Sequence, residues 1–170
     1  GSVMACLCAT VLIAMPVSRD LIQLRPEGLY CPPGDFYIDP WRPVRCAVIT
    51  HGHADHARTG MGSYHLAAAG LPVLQWRLGE QDYHVHEYGQ SFQLGRARVS
   101  LHSAGHVLGS AQVRVEVDGE VWVASGDYKR QSDPTCAPFE VVTCDTFITE
   151  ATFGLPIYRW PETAEVAREI

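Results

Sequence analysis

Between Thr50 and His56 the chain reads Thr50-His51-Gly52-His53-Ala54-Asp55-His56, so three imidazoles and one carboxylate fall within six residues. Imidazole and carboxylate are donors that hold divalent transition metals, and four such groups this close, directly after an apolar run, require a compensating charge. In an extended loop, side chains two apart project to the same side, so His51 and His53 can share one metal. Asp55 and His56, entering a turn, address a neighbouring position. Gly52 and Ala54 keep the spacers small, which leaves room for metals and substrate. Any one of these histidines alone would read better as a scattered surface group; the density of the cluster, three histidines with Asp55, argues against that for the four together.

Two later segments add donors. In Ser103-Ala104-Gly105-His106-Val107-Leu108-Gly109-Ser110 one imidazole sits in a glycine-bracketed loop, from which it can reach the first cluster. In Ser125-Gly126-Asp127-Tyr128 a carboxylate directly follows a strand-like run. One carboxylate can bridge two cations about 3.5–4 Å apart, the separation used in two-metal hydrolysis. Four other histidines stand outside this set. His84 and His86 alternate onto one face of a strand and are expected to face solvent, His65 is read as structural, and His102 lies near the His106 loop, where it could steady a ligand.

These loops need a frame. Alternating and β-branched stretches predict strands over 21–24, 35–38, 45–50, 64–67, 83–88 and 97–102, with a short helix over 71–78. The run at 45–50 is apolar in the manner of a strand buried on both faces. Pro32, Pro33 and Gly34 break the first pair, and Pro40 and Pro43 prevent helix or central strand before Arg45. Residues 111–117 and 120–125 alternate around Asp118-Gly119, a strong hairpin signal. A strand over 146–149 precedes Glu150, and a helical pattern starts at Pro161. That pattern meets no closing Gly, Asn or Pro before Ile170, so the chain is expected to be cut from something longer.

The HxHxDH arrangement of His51, His53, Asp55 and His56 resembles that of the metallo-β-lactamase superfamily. Ala104 to Ser110 and Thr149-Glu150-Ala151-Thr152-Phe153-Gly154 are similar to its nucleic-acid-processing branch, which includes messenger-RNA 3′-end cleavage factors and bacterial ligase-associated DNA exonucleases. Leu29-Tyr30-Cys31-Pro32 with Ile38-Asp39-Pro40 most resembles the latter, and the similarity runs from about Asp20 to the end. It implies an α/β (α+β) fold, the αββα sandwich, with its N-terminal portion in residues 20–170 after an apolar extension over 1–19. It also implies that His51, His53 and His106 hold one divalent ion, Asp55 and His56 the other, and that Asp127 bridges, with Asp39 orienting a ligand from behind. The family takes another histidine from a later segment, and no His follows His106 here.

The expected chemistry is phosphodiester hydrolysis. A hydroxide bridging the metals attacks phosphorus in line, its pKa lowered toward neutrality by coordination, and the metals stabilise the leaving oxyanion. Asp55 would orient the nucleophile and carry its proton, and Glu150 would assist the leaving group, giving Asp55, Asp127 and Glu150 as catalytic candidates. Mixed His and carboxylate ligands suit zinc or manganese, the two metals expected. Arg58, Lys129 and Arg130 flank the motifs and are candidates to meet substrate phosphates. The favoured reading is a DNA end-processing exonuclease in repair, with DNA ligase or helicase partners implied by resemblance. Its rivals are an RNA-processing nuclease of the same branch, a thioester or lactam hydrolase, and a non-catalytic scaffold. The Glu150 segment and the His106 loop disfavour the hydrolase, and intact ligands disfavour the scaffold.

Bulk properties set bounds. A chain of 170 residues that is 46% hydrophobic suits one globular domain. Thirteen Lys and Arg against 19 Asp and Glu give −6, which excludes a general binder relying on phosphate neutralisation, although bound metals would cancel carboxylates locally. The six cysteines form no CxxC pair and read as reduced, with Cys46 and Cys144 acting as small hydrophobes. Residues 3–17 are apolar but too short to span a membrane and lack a positive flank, so no membrane association and a cytoplasmic location are expected. Gly1 and Ser2 read as a cloning scar, and Met15 would make a natural start.

Overall fold

The computed structural model describes residues 20–151 together with Ile157, Pro161 and Arg168. The apolar stretch over 3–17, Thr152 to Gly154 and the helical pattern from Glu162 to Ala167 lie outside the described residues. Six strands build the first sheet in sequence order: β1 (Gln23–Arg25), β2 (Gly28–Cys31), β3 (Phe36–Ile38), β4 (Cys46–Val48), β5 (Ser63–Ala67) and β6 (Tyr83–His86). The first three run antiparallel, and β3 to β6 run parallel, with helix α1 (Leu71–Leu78) in the crossover from β5 to β6. The second sheet holds β7 (Ser91–Leu94), β8 (Ala97–Ser103), β9 (Ala111–Val117), β10 (Glu120–Ala124) and β11 (Thr146–Ile148), antiparallel except for β11 beside β10.

The apolar pattern decides how these layers stack. Phe36, Ile38, Val48, Val99, Leu101, Val113 and Val115 fill the space between the sheets. Ala47, Ile49, Tyr64 and Leu66 turn the other way, against Leu74 of α1. β4 is therefore buried on both faces, as its sequence predicts, and the order is helix, sheet, sheet. This agrees with the expected αββα fold over the described residues. The β9–β10 hairpin also forms as predicted: Asp118 and Gly119 adopt φ of 51° and 87°, the left-handed pair that matches the twist of the flanking strands.

Boundaries moved where packing outweighed pattern. Leu21 and Ile22 enter the core between the sheets and β1 starts only at Gln23. β2 and β7 were not expected, being four residues each with no long alternation. The expectation that His86 faces solvent is corrected by its surroundings. In the β5–β6 register His65 lies opposite His84 and Ala67 opposite His86. His65 Nδ1 and His86 Nε2 are 3.0 Å apart with rings 5° from parallel, and Phe92 of β7 stacks on His86 at 3.5 Å. Both strands are sheet edges, so this aromatic stack closes the seam between the layers. His84 is exposed, stacks on His65 and lies 3.2 Å from Asp82.

Burial holds the His65 imidazole down to about 4, with His84 and His86 adding to the effect and Asp82 opposing it. A depressed folded-state value means that the unfolded chain takes up the proton first. The stability from keeping His65 neutral is complete above its ordinary value near 6.5 and is lost as pH falls toward 4. Thermal unfolding followed by circular dichroism at pH 7.5 and pH 5 should therefore show the gap in Tm between the natural chain and His65→Gln narrowing in acid. A gap independent of pH would contradict this assignment.

Candidate metal centre

β4 delivers Thr50 and His51 into the interior: their residues are 1% and 2% exposed, so the cluster begins inside the fold. The chain then turns, with His56 and Ala57 donating their N–H groups to the His53 carbonyl at 3.2 and 2.9 Å. Arg77 near the end of α1 donates Nη1 to the carbonyls of Gly52 and Ala57, gripping the loop at both ends. Tyr64, fully buried on β5, donates its hydroxyl to the Arg58 carbonyl at 2.9 Å and accepts the Met61 N–H. The His106 loop closes on Ser110, whose Oγ accepts the N–H groups of His106 and Val107 at 3.0 and 3.2 Å. Gly109, at φ 77°, brings this loop so close to Gly70 that a Cβ would lie 2.2 Å from the Gly70 Cα.

Four side chains converge. His51, His53, His106 and Asp127 each offer a donor atom, all within 4.8 Å of one another. His51 Nε2 lies 2.9 Å from His53 Nδ1, and His106 Nε2 lies 3.4 Å from the same atom. Asp127 Oδ2 is 3.7 Å from both His51 Nε2 and His106 Nε2. A tetrahedral zinc site with bonds near 2.0–2.2 Å separates its donors by about 3.4 Å, so these residues fit one divalent ion. Asp127 is brought in by Gly126, whose missing side chain lets the backbone lie against Thr50; a Cβ there would sit 2.7 Å from the Thr50 Cβ.

Asp39 holds the cluster from behind. Its carboxylate can only accept, and it takes the Thr50 N–H at 2.7 Å, the Thr50 hydroxyl at 2.5 Å and the His56 Nδ1–H at 2.7 Å. The Thr50 hydroxyl proton is thus committed to Asp39, and its oxygen accepts from His51 Nδ1–H at 3.0 Å. With Nδ1 of both rings engaged from behind, His51 and His56 turn Nε2 toward the cluster, the nitrogen left for a metal. Burial and the three neighbouring imidazoles push His51 down to about 2, so it stays neutral.

A second group lies beside the first. His56 Nε2 is 3.4 Å from Asp127 Oδ1 and 3.7 Å from Asp55 Oδ2. The two oxygens of Asp127 therefore face different histidines, Oδ2 toward His51 and His106 and Oδ1 toward His56. Burial lowers the His56 value, but hydrogen bonding and charge from Asp39, then Asp127 and Asp55, outweigh it and leave it raised. His106 is lowered, first by burial, with Asp127 and Glu150 pulling the other way.

Of the predicted donors, His51, His53, His106 and Asp127 converge, His56 and Asp55 lie beside them, and Asp39 stands behind. Glu150 is near enough to influence His106 electrostatically, and its N–H points to Ser125 Oγ at 3.4 Å. Lys129 pairs with Asp133 at 3.2 Å. Arg58 contributes its carbonyl to the loop, and no ion pair links Arg58 or Arg130 to another described residue. His102 does not steady a ligand: its nitrogens meet Ser100 Oγ and Glu140 Oε1, both at 2.9 Å. Sequence reasoning missed Arg77 and Thr50. A basic residue late in the helix that follows the motif was the only available signal for Arg77.

No family model matches the chain. It is 35% identical over 149 residues to a probable DNA ligase of Opitutus terrae, covering 85% of this chain and 14% of that protein. It is 35% identical over 72 residues to the endoribonuclease YSH1 of Gibberella zeae, covering 41% of this chain and 9% of that protein. The chain thus spans a small part of the length of the curated relatives it matches. A solved structure of the CmlA β-hydroxylase superposes with a TM-score of 0.51 at 16% identity, covering 69% of this chain and 32% of the other, a likeness of fold alone.

Replacing Asp39 by Asn keeps a residue type that tolerates its left-handed φ of 43° but removes the charge and one acceptor. Competition titration of Zn²⁺ against a chromogenic chelator should show Asp39→Asn weakened by about 10–100-fold. Unchanged affinity would reduce Asp39 to a backbone anchor.

Proposed function

We propose, from a chain that has the metallo-β-lactamase fold and is similar in sequence to the nucleic-acid-processing branch of that superfamily, that it belongs to a dinuclear metal-dependent phosphodiesterase acting on nucleic acid. The observation that carries this reading is Asp127, whose two oxygens face two separate histidine groups. His51, His53 and His106 would hold one ion, Asp55 and His56 the other, and Asp127 would bridge them. Zinc or manganese suits this donor set. When bound, such ions supply Lewis acidity and a water of lowered pKa.

The chain's own residues do the rest. Asp39 and Thr50 keep His51 and His56 oriented, with Nε2 toward the ions, as substrate enters. Asp55, with its side chain 76% exposed, stands on the solvent side, where it orients the attacking water and takes its proton. Glu150, which acts electrostatically on His106, would relay a proton from solvent to the leaving oxygen. Lys129 is neutralised by Asp133, so phosphate contacts fall to Arg58 and Arg130.

DNA is the favoured substrate, because the ligase relative aligns over 149 residues and the endoribonuclease over 72. End-processing of DNA by an exonuclease, in the cytoplasm and alongside a ligase or helicase, is the reading this supports. Among the described residues no helix is long and apolar enough to cross a membrane. Processing of RNA is the second reading, supported by the endoribonuclease relative.

The test is degradation of end-labelled single- and double-stranded DNA and RNA with Mn²⁺ or Zn²⁺, using the natural full-length chain beside Asp127→Ala and Asp55→Asn. Laddering from one DNA end is expected, abolished in Asp127→Ala together with binding of both ions. Asp55→Asn should keep the fold and lose turnover by about 10²–10⁴-fold. Cleavage of no nucleic acid by a metal-loaded natural chain would contradict the reading, and full turnover in Asp55→Asn would remove Asp55 from the mechanism.

A further inference from the structure

Beside the metal centre a pocket of about 260 Å³ opens between the His51 to His56 loop, α1 and the tip of the His106 loop. Its walls are Ala54, Val73, Val107 and Leu108, with Arg77 at one side and His53 shared with the metal centre. We propose that this pocket receives one nucleobase of the substrate, the base of the nucleotide joined to the scissile phosphate. The proposal rests on the phosphodiesterase reading and adds to it a subsite and its ligand.

Four observations support a base as the occupant. Because His53 belongs to both sites, whatever fills the pocket adjoins the group held at the metals. Ala54, Val73, Val107 and Leu108 make most of the wall aliphatic, which suits a flat, weakly polar ring better than a phosphate, and Arg77 is already engaged through Nη1 with two backbone carbonyls. The volume falls just below the roughly 300–1,000 Å³ of sites for drug-sized ligands, room for one ring system rather than several nucleotides. Arg77 is tied through Nη1 to the Gly52 and Ala57 carbonyls, and a guanidinium held this way is a platform on which bases stack.

The chain's charge gives a further reason. With a net charge of −6 it gains little from neutralising phosphates, so affinity for nucleic acid must come from elsewhere. Leu108 is 47% exposed at the loop tip, where a solvated loop would ordinarily carry a polar residue. Burying it against a base supplies affinity that salt does not screen.

The experiment is isothermal titration of the Mn²⁺-loaded natural full-length chain with deoxyadenosine 5′-monophosphate, thymidine 5′-monophosphate and deoxyribose 5-phosphate, at low and high salt. The nucleotides should bind about tenfold more tightly than the sugar phosphate, by an increment that salt leaves unchanged. Leu108→Asp, with metal content verified, should bring the nucleotides down to the sugar phosphate. Equal binding of all three ligands by the natural chain, or an increment untouched in Leu108→Asp, would overturn the pocket assignment and leave the phosphodiesterase reading standing. Binding of none of the three, together with no cleavage of nucleic acid, would overturn both.

Discussion

The Asp39 carboxylate, at the end of β3, is the constraint on which the centre depends. It accepts from the Thr50 backbone, the Thr50 hydroxyl and His56 at 2.5–2.7 Å, and so joins two neighbouring strand ends to the loop that follows. Its left-handed backbone, at φ 43°, is the strain this arrangement tolerates. Thr50 extends the connection to the second sheet, because its carbonyl accepts the Ala111 N–H at 2.8 Å and Gly126 packs on its side chain. One residue pair thus aligns both sheets and the tautomers of two imidazoles.

The clustering of metal-ligating side chains was legible in the sequence because it is written in residue type and short spacing. His51, His53, Asp55 and His56 needed only a loop after a buried strand, and Asp118-Gly119 needed only a turn. What was hidden depends on distant partners. Arg77 grips the loop across some twenty residues, and nothing in its local pattern distinguishes it from a solvated helix end. His86 alternates like a surface residue, yet β7, a strand of four residues, brings Phe92 onto it. His102 lies near His106 in sequence, but Glu140, thirty-eight residues on, engages it. Leu21 and Ile22 look like strand and serve as core.

The two histidine clusters show how environment divides one residue type into two uses. Around Asp127 the imidazoles turn ring nitrogens toward one another and toward carboxylates, an arrangement that a cation completes. At the seam between β6 and β7, His65 and His86 instead meet each other and an aromatic ring, an arrangement that an added proton disrupts. On the proposed reading, an acidic chain would act on a polyanion because the positive charge at its centre would come from bound ions rather than from lysines, and because an apolar pocket lies alongside.

The most direct test of this account is anomalous diffraction at the metal absorption edge from crystals of the natural chain grown with Zn²⁺ or Mn²⁺. Two peaks about 3.5–4 Å apart are expected on either side of the Asp127 carboxylate, one among His51, His53 and His106 and the other beside Asp55 and His56. A single peak, or peaks that leave Asp127 uncoordinated, would contradict the dinuclear centre and the mechanism built on it.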